Sequence, residues 1–322
     1  MKNSRRKHRD IWAGLAFIAP NFLGFMLFLL VPVIFSLVMS FSNWNLMKEV
    51  SFQWVGFRNF FDLFHDREFW LYSINTVYLM LGIPVCIALS LFLANLLSKQ
   101  LRGIVVYRTL FYLPTFTAGV ALFVLWKSLY NPEYGPINAA IRWLLERAGT
   151  AHVELPSWLS SAKNLLGLHP EQIMIGVREF FGLGAREAII IMGIWVAAGG
   201  TNMLLYIAAI SNIPPDLYEA AEIDGAGSWA QFRHITWPQL APTTFFIVIM
   251  GFIGGLQGGF EQARVLTAGG PAGTTTTLSY YIYIKAFEEF QMGYASAIAW
   301  VLFAVIFAIT LVNWTFGSRK IN

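Results

Sequence analysis

Cysteine is all but missing from this chain. Cys86 is the single one in 322 residues, which excludes an internal disulfide and any cysteine-cluster metal site. It lies in an apolar run and packs there as a small hydrophobe. Charge is scarce too. Asp, Glu, Lys and Arg make up 12% of the chain against 57% apolar residues, where a soluble domain carries about 25% charged residues. A soluble enzyme is excluded, and the composition is that of an integral membrane protein, which the long apolar runs below make an all-α one. The net charge of +4 is too small to indicate nucleic acid. Two chemical signatures are absent. No G-x-x-x-x-G-K-[ST] occurs, so any ATP that drives the protein is bound by another subunit. No H-E-x-x-H occurs, and His8, His65, His152, His169 and His234 are scattered through loops, so no metal site is expected.

What is present is a series of long apolar runs. Residues 1–10 hold Lys2, Arg5, Arg6, Lys7 and Arg9, and an apolar run over 11–41 follows. That run is longer than the roughly 7–15-residue core of a signal peptide and lacks a small-residue cleavage site. It is expected to be a first transmembrane helix with its N-terminus in the cytoplasm. Pro20 and Pro32 lie inside it, which membrane helices tolerate. A mixed loop is expected over 42–70, a second span over 71–97, and a short basic loop with Lys99, Arg102 and Arg108 after it. A third span is expected over 109–126, an external loop over 129–187, a fourth span over 188–210, a fifth over 243–259, a loop over 260–294 and a sixth span over 295–316. The basic start, the basic second loop and the tail at 318–322 then all face the cytoplasm, as the positive-inside rule asks. Six transmembrane helices with both termini cytoplasmic are the result.

Between the fourth and fifth spans lies a polar loop, 212–242. Pro214 and Pro215 open a helix where their missing N–H groups cost little, and Asp216 and Glu219 suit its positive end. Gly225 and Gly227 stop it. Ser228, with Gln231 three residues on, starts a second helix as a capping box. Asp216, Glu219, Glu222 and Asp224 stand against Arg233 alone, which suggests a basic partner surface.

Two Gly-rich stretches interrupt the spans. In 251–259, Gly251, Gly255 and Gly259 recur every fourth residue, as do Gly254 and Gly258. Small residues at this spacing let helices approach closely, or they clear room for a solute path in which Gln257, Phe260 and Glu261 offer contacts. Gly199, Gly200, Thr201 and Asn202 carry the same two readings: packing, or backbone turned toward a cavity. Tyr206 lies one turn beyond Asn202 on the same face.

The loop's Glu219-Ala220-Ala221, then three residues, Gly225, nine residues, and Ile235-Thr236-Trp237-Pro238 resembles the EAA loop of ABC importer permeases, E-A-A-x3-G-x9-I-x-L-P, with Trp237 in place of Leu. The stretch 260–278, Tyr281-Ile-Tyr283, Gly293-Tyr-Ala-Ser-Ala-Ile298 and Asn131-Pro-Glu-Tyr-Gly-Pro-Ile-Asn138 are similar to permeases of carbohydrate ABC importers of the maltose and glycerol-phosphate type. The similarity covers nearly the whole chain from the first span, with an ABC transmembrane domain over 71–316, and the region 162–187 is longer than the family norm. The resemblance implies a type I ABC importer permease fold in a bacterial or archaeal cytoplasmic membrane. It implies a second permease subunit forming a heterodimer, two ATPase subunits that bind ATP and Mg, and an external solute-binding protein. Glu219, Ala220, Ala221, Asp224 and Gly225 would couple the chain to an ATPase, and Gly200, Thr201, Asn202, Gln257, Gly259, Phe260 and Glu261 fall in the neighbourhoods of family solute contacts, with Tyr206 added to the expected path by its place one turn from Asn202. The competing expectations are a stand-alone secondary transporter, which needs buried ionisable residues for ion coupling, and an ABC permease for a non-sugar solute such as a glycerophosphodiester.

Overall fold

The computed structural model describes residues 2–45, 52–99, 102–117, 119–150 and 154–317. The side chains of the basic first ten residues and the tail at 318–322 lie outside it. The described chain is helical, with no strand and only two isolated bridges, Ser42 to Trp54 and Asn164 to Phe181. It divides into two compact units, Met1–Asp66 with Ile282–Val301, and Arg67–Tyr281 with Leu302–Asn322.

In the first unit, α1 occupies residues 2–40. It carries Pro20, and a wide π-turn at Met26–Leu30 precedes Pro32. A proline ring crowds the preceding turn of a regular helix, and a widened turn relieves that. The sides of α1 are bare and apolar, with Phe17 and Phe28 more than four-fifths exposed, as suits a helix facing lipid. The expected loop at 42–70 instead contains α2 (Arg58–His65). The Asn59 amide donates to the carbonyls of Ser40 and Ser42, both at 2.9 Å, and so caps the C-terminal end of α1. The Phe41 ring packs against Trp54, Phe57 and Phe60. Tyr294 donates to Asp66 at 2.7 Å, and Trp300 to Ser36 at 3.1 Å.

The second unit begins with α3 (Arg67–Leu79) and α4 (Gly82–Leu97), which together make one membrane-length helix. Its interruption has a cause: Pro84 lacks the N–H that would bond Met80, and Ile83 donates to the Met80 carbonyl at 2.9 Å instead. The third expected span is broken. It is α5 (Ile104–Tyr112), a 3₁₀ turn at Leu113–Phe116 that holds Pro114, and α6 (Gly119–Leu129). Next come α7 (Pro136–Arg147), α8 (Ala185–Ala198), α9 (Thr201–Ser211), α10 (Pro215–Ile223) and α11 (Ser228–Gln239). Helix α12 (Ala241–Gln257) leaves α11 at a 64° bend. The expected loop at 260–294 contains helical turns at Phe260–Gln262 and Ala263–Thr267, and α13 (Leu278–Tyr283). The last helix is α14 (Met292–Gly317). Four described helices are long and apolar enough to cross a membrane, and six if each bent pair is one span.

Two clusters form the core of the second unit. One gathers Trp126, Tyr130 and Trp158 with Ile189, Met192 and Leu266. The other gathers Leu91, Leu97, Met203, Tyr206, Leu240 and Ile247. Lipid removes most of the hydrophobic drive between helices, so close fit matters more than apolar area alone. The glycines show it. A Cβ on Gly199 would stand 2.2 Å from the Phe111 carbonyl oxygen, and one on Gly255 would stand 2.8 Å from Met80.

Candidate functional site

The loop at 212–242 folds largely as its residues dictate. Pro215 is the first residue of α10, and Pro214 its extended cap. Gly225 ends it in the left-handed region at φ 78°. The Gly225 N–H bonds the Glu222 carbonyl and the Ala226 N–H bonds the Ala221 carbonyl, the paired bonds of a Schellman stop. Gly227, not Ser228, caps the next helix. The expected capping box is therefore absent, and the Gln231 amide points to the Ala226 carbonyl at 3.4 Å. The reason is a one-residue shift: Ser228 already has helical backbone, and its hydroxyl is no longer placed to reach Gln231.

Helix α10 has two faces. Tyr218 and Ala221 are half-buried, and the Tyr218 hydroxyl lies 2.8 Å from that of Thr236. That bond ties α10 to α11 across the glycine turn. Glu219, Ala220, Asp224 and Gly225 are exposed. So are Leu217 and, on the next turn, Ile223 at 87%, with Trp229 beyond it at 71%. An outer face with Ala220 and Gly225, the carboxylates of Glu219 and Asp224, and three uncovered apolar groups has the composition of a docking surface.

The Gly-rich stretches divide between the two readings. Gly199 and Gly200 are packing positions: a Cβ would strike the Phe111 backbone at the first and Thr115 at the second. The carbonyl of Ala198, freed by the break, accepts from the Ser90 hydroxyl at 2.8 Å. Gly251 and Gly255 pack against Ile83 and Met80, whereas Gly254 meets nothing within 4 Å. Gly259 sits at φ 89° with Thr277 2.5 Å from where its Cβ would be, so only glycine turns the chain there. Tyr206 is fully buried in the second cluster and donates to Thr244 at 3.1 Å. Thr201, Gln257 and Glu261 are exposed. The Phe260 ring packs edge-on against Tyr280, with the Arg264 guanidinium 5.8 Å from its centroid.

Asn202 lines a cavity of about 250 Å³ between α3, α4, α8 and α12. Gln262 lines the same cavity and also an adjoining one of about 160 Å³, walled by Gly254, Gly258 and Gly259. Of the expected solute-path residues, the structure brings Asn202 to the first cavity and Gly259 to the second. The sequence pointed to its neighbours Phe260 and Glu261 instead of Gln262, because which residue of the turn Phe260–Gln262 reaches the cavities is set by tertiary packing.

A second cluster also escaped the sequence. Arg186 and Glu187 fall in the first turn of α8, where the sequence places the end of a loop, yet they are 1% and 3% exposed. Arg186 Nε donates to the Thr274 carbonyl at 2.9 Å and Nη2 to Asn75 Oδ1 at 2.6 Å. Asn75 passes the link on, donating to the carbonyls of Gly273 and Thr276. The Tyr78 hydroxyl and the Leu165 N–H both donate to Glu187 Oε1, and the Gly184 N–H donates to Oε2. The four threonines at 274–277 are all buried in this knot.

Comparison with known proteins agrees with this arrangement. Residues 83–316 match the family model described as binding-protein-dependent transport system inner membrane component. The chain is 33% identical to the probable ABC transporter permease protein YesP of Bacillus subtilis, covering 100% of this chain and 96% of that one. It is 32% identical to the probable starch degradation products transport system permease protein AmyD of Thermoanaerobacterium thermosulfurigenes, over 97% and 96% of the two chains. In structure it is similar, with a TM-score of 0.77 and 26% identity over 99% of both chains, to a chain of a bacterial ABC transporter involved in the import of the acidic polysaccharide alginate. The chain belongs to the family of binding-protein-dependent transport system inner membrane components, the membrane-embedded permeases of ABC importers.

Proposed function

We propose that this chain forms half of the membrane path of an ATP-driven importer for a sugar or oligosaccharide. It works beside a second permease in the cytoplasmic membrane of a bacterium or archaeon. An external binding protein delivers the solute. Two ATPase subunits bind ATP and Mg and supply the driving force. The chain crosses the membrane six times with both termini in the cytoplasm, so that the 212–242 loop faces the ATPases.

The observation that carries this reading is the outer face of α10. Glu219 and Asp224 await a basic surface, Ala220 permits close approach, and Ile223 and Trp229 are apolar groups left uncovered. The bond from Tyr218 to Thr236 makes α10 and α11 move together. A push on α10 then passes through the 64° bend into α12, which walls the cavities. A stand-alone secondary transporter is less well supported. The Glu187 carboxylate is engaged by fixed partners, Arg186 lines neither cavity, and neither cavity is lined by an ionisable carboxylate that could couple transport to an ion.

The test is Glu219→Lys in the full transporter. Reversal of a docking charge is expected to cut co-purification of the ATPase and solute uptake by roughly tenfold or more, with membrane insertion unchanged. Uptake at the normal rate would overturn the assignment of α10.

A further inference from the structure

We infer that the mid-span cavities take an uncharged carbohydrate and discriminate against acidic sugars and phosphates, with Gln262 and Asn202 as the residues that read its hydroxyls. This rests on the importer reading above and narrows it to a substrate class.

The first observation is the chemistry of the walls. The larger cavity is bounded by Leu79, Ile83, Ile87 and Ile194, with Asn202 and Gln262 as its two amides. The smaller one adds the hydroxyls of Thr76 and Thr277. No Lys, Arg, His, Asp or Glu lines either. The buried cation Arg186 lines neither cavity; its Nε and Nη2 are held by the Thr274 carbonyl and Asn75, and its Nη1 has no partner among the described residues. An anion entering would lose its water and gain no cation, which is strongly unfavourable. A sugar ring presents C–H faces to the apolar wall and hydroxyls at its rim.

The second observation is that both amides are free to act. Thr76 is spent on the Tyr72 carbonyl and the Leu278 N–H, and Thr277 receives the Tyr280 N–H. Among the described residues no hydrogen bond engages the half-buried side chains of Asn202 and Gln262. Each amide offers two donors and an acceptor, the pairing that hydroxyls, which both donate and accept, require. A polar group left unpaired at the depth of the span centres is costly unless something else fills its bonds. The third observation is room. A Cβ on Gly193, a wall residue of the larger cavity, or on Gly254 of the smaller one, would meet nothing within 4 Å. The walls there are cleared, not packed. Gln262 belongs to both cavities, so it stands where a solute passes from one to the other.

The experiment uses cells carrying the intact transporter and a strain lacking this chain. Both are offered a mixture of neutral oligosaccharides (malto-, cello-, xylo- and galacto-series) and, separately, oligouronates from alginate and pectate, and depletion is followed by mass spectrometry. Depletion of a neutral species that depends on this chain is expected. Gln262→Leu should slow it about tenfold, the loss expected when one well-made hydrogen-bonding partner is removed. Gln262→Arg should raise the ratio of oligouronate to neutral uptake, a change that a purely structural role would not produce. Chain-dependent uptake of oligouronates by the wild type would overturn the inference and leave the importer reading standing. So would neutral uptake indifferent to Gln262→Leu. Uptake of neither class would sink the sugar-importer reading itself and the inference with it.

Discussion

Arg186 illustrates how much a single buried side chain can hold. Its guanidinium joins α8 to α3 through Asn75, and to the threonine-rich turn through the Thr274 carbonyl. Truncation to Met would strand both acceptors, each at roughly 1–3 kcal/mol. Arg186→Met is therefore expected to lower the unfolding temperature of the detergent-purified protein, read by tryptophan fluorescence. Arg186→Lys should recover little, because a point ammonium does not span two acceptors in the fixed geometry of a guanidinium fork. Equal melting of all three forms would contradict the role given to the knot. The sequence concealed this residue for a plain reason. Hydropathy ends a span at the first charge, and nothing in the local pattern shows that Asn75, some hundred residues earlier, waits to pair with it.

Among the helices, the break between α8 and α9 and the bend between α11 and α12 matter most. Two glycines in mid-span were legible as an interruption, but their purpose was not. The approach of Phe111 to Gly199 depends on where α5 lies, and that is tertiary information. The contrast with Gly254 makes the point testable. Gly199→Ala sets a methyl group 2.2 Å from a backbone oxygen and is expected to abolish accumulation of folded protein in the membrane. Gly254→Ala meets open space and should accumulate normally, as judged by size-exclusion profiles of a fluorescent fusion. Similar profiles for the two would undo the packing account. The Pro215 start and Gly225 stop of α10 were legible because they are local rules, carried by residue type. The first turn of α11 was misjudged by one residue, since a glycine and a serine in tandem can each serve as the cap.

For the molecule as a whole, the apolar runs predicted where helices would lie to within a few residues: 71–97 against Arg67–Leu97, 188–210 against Ala185–Ser211, and 295–316 against Met292–Gly317. They did not reveal that the third run is two helical segments, Ile104–Phe116 and Gly119–Leu129, because residue type alone leaves open whether a membrane helix continues or breaks after a proline. Six crossings make a further prediction. A cysteine placed at Ile223, exposed in α10, should react only with reagents admitted to the cytoplasm. One at Ile175, exposed in the 129–187 loop that the six-span reading puts outside, should react from outside intact cells. Reaction of both from the same side would refute the six-span topology.

The seclusion of Cys86 in the interior gives that experiment a further reach. Cys86 is the single cysteine and lines the cavity that holds Asn202 and Gln262, so one replacement, Cys86→Ser, clears the thiol background before a spectroscopic reporter is attached. A spin label on α10 and another on a neighbouring subunit would then give the distance between them through the nucleotide cycle.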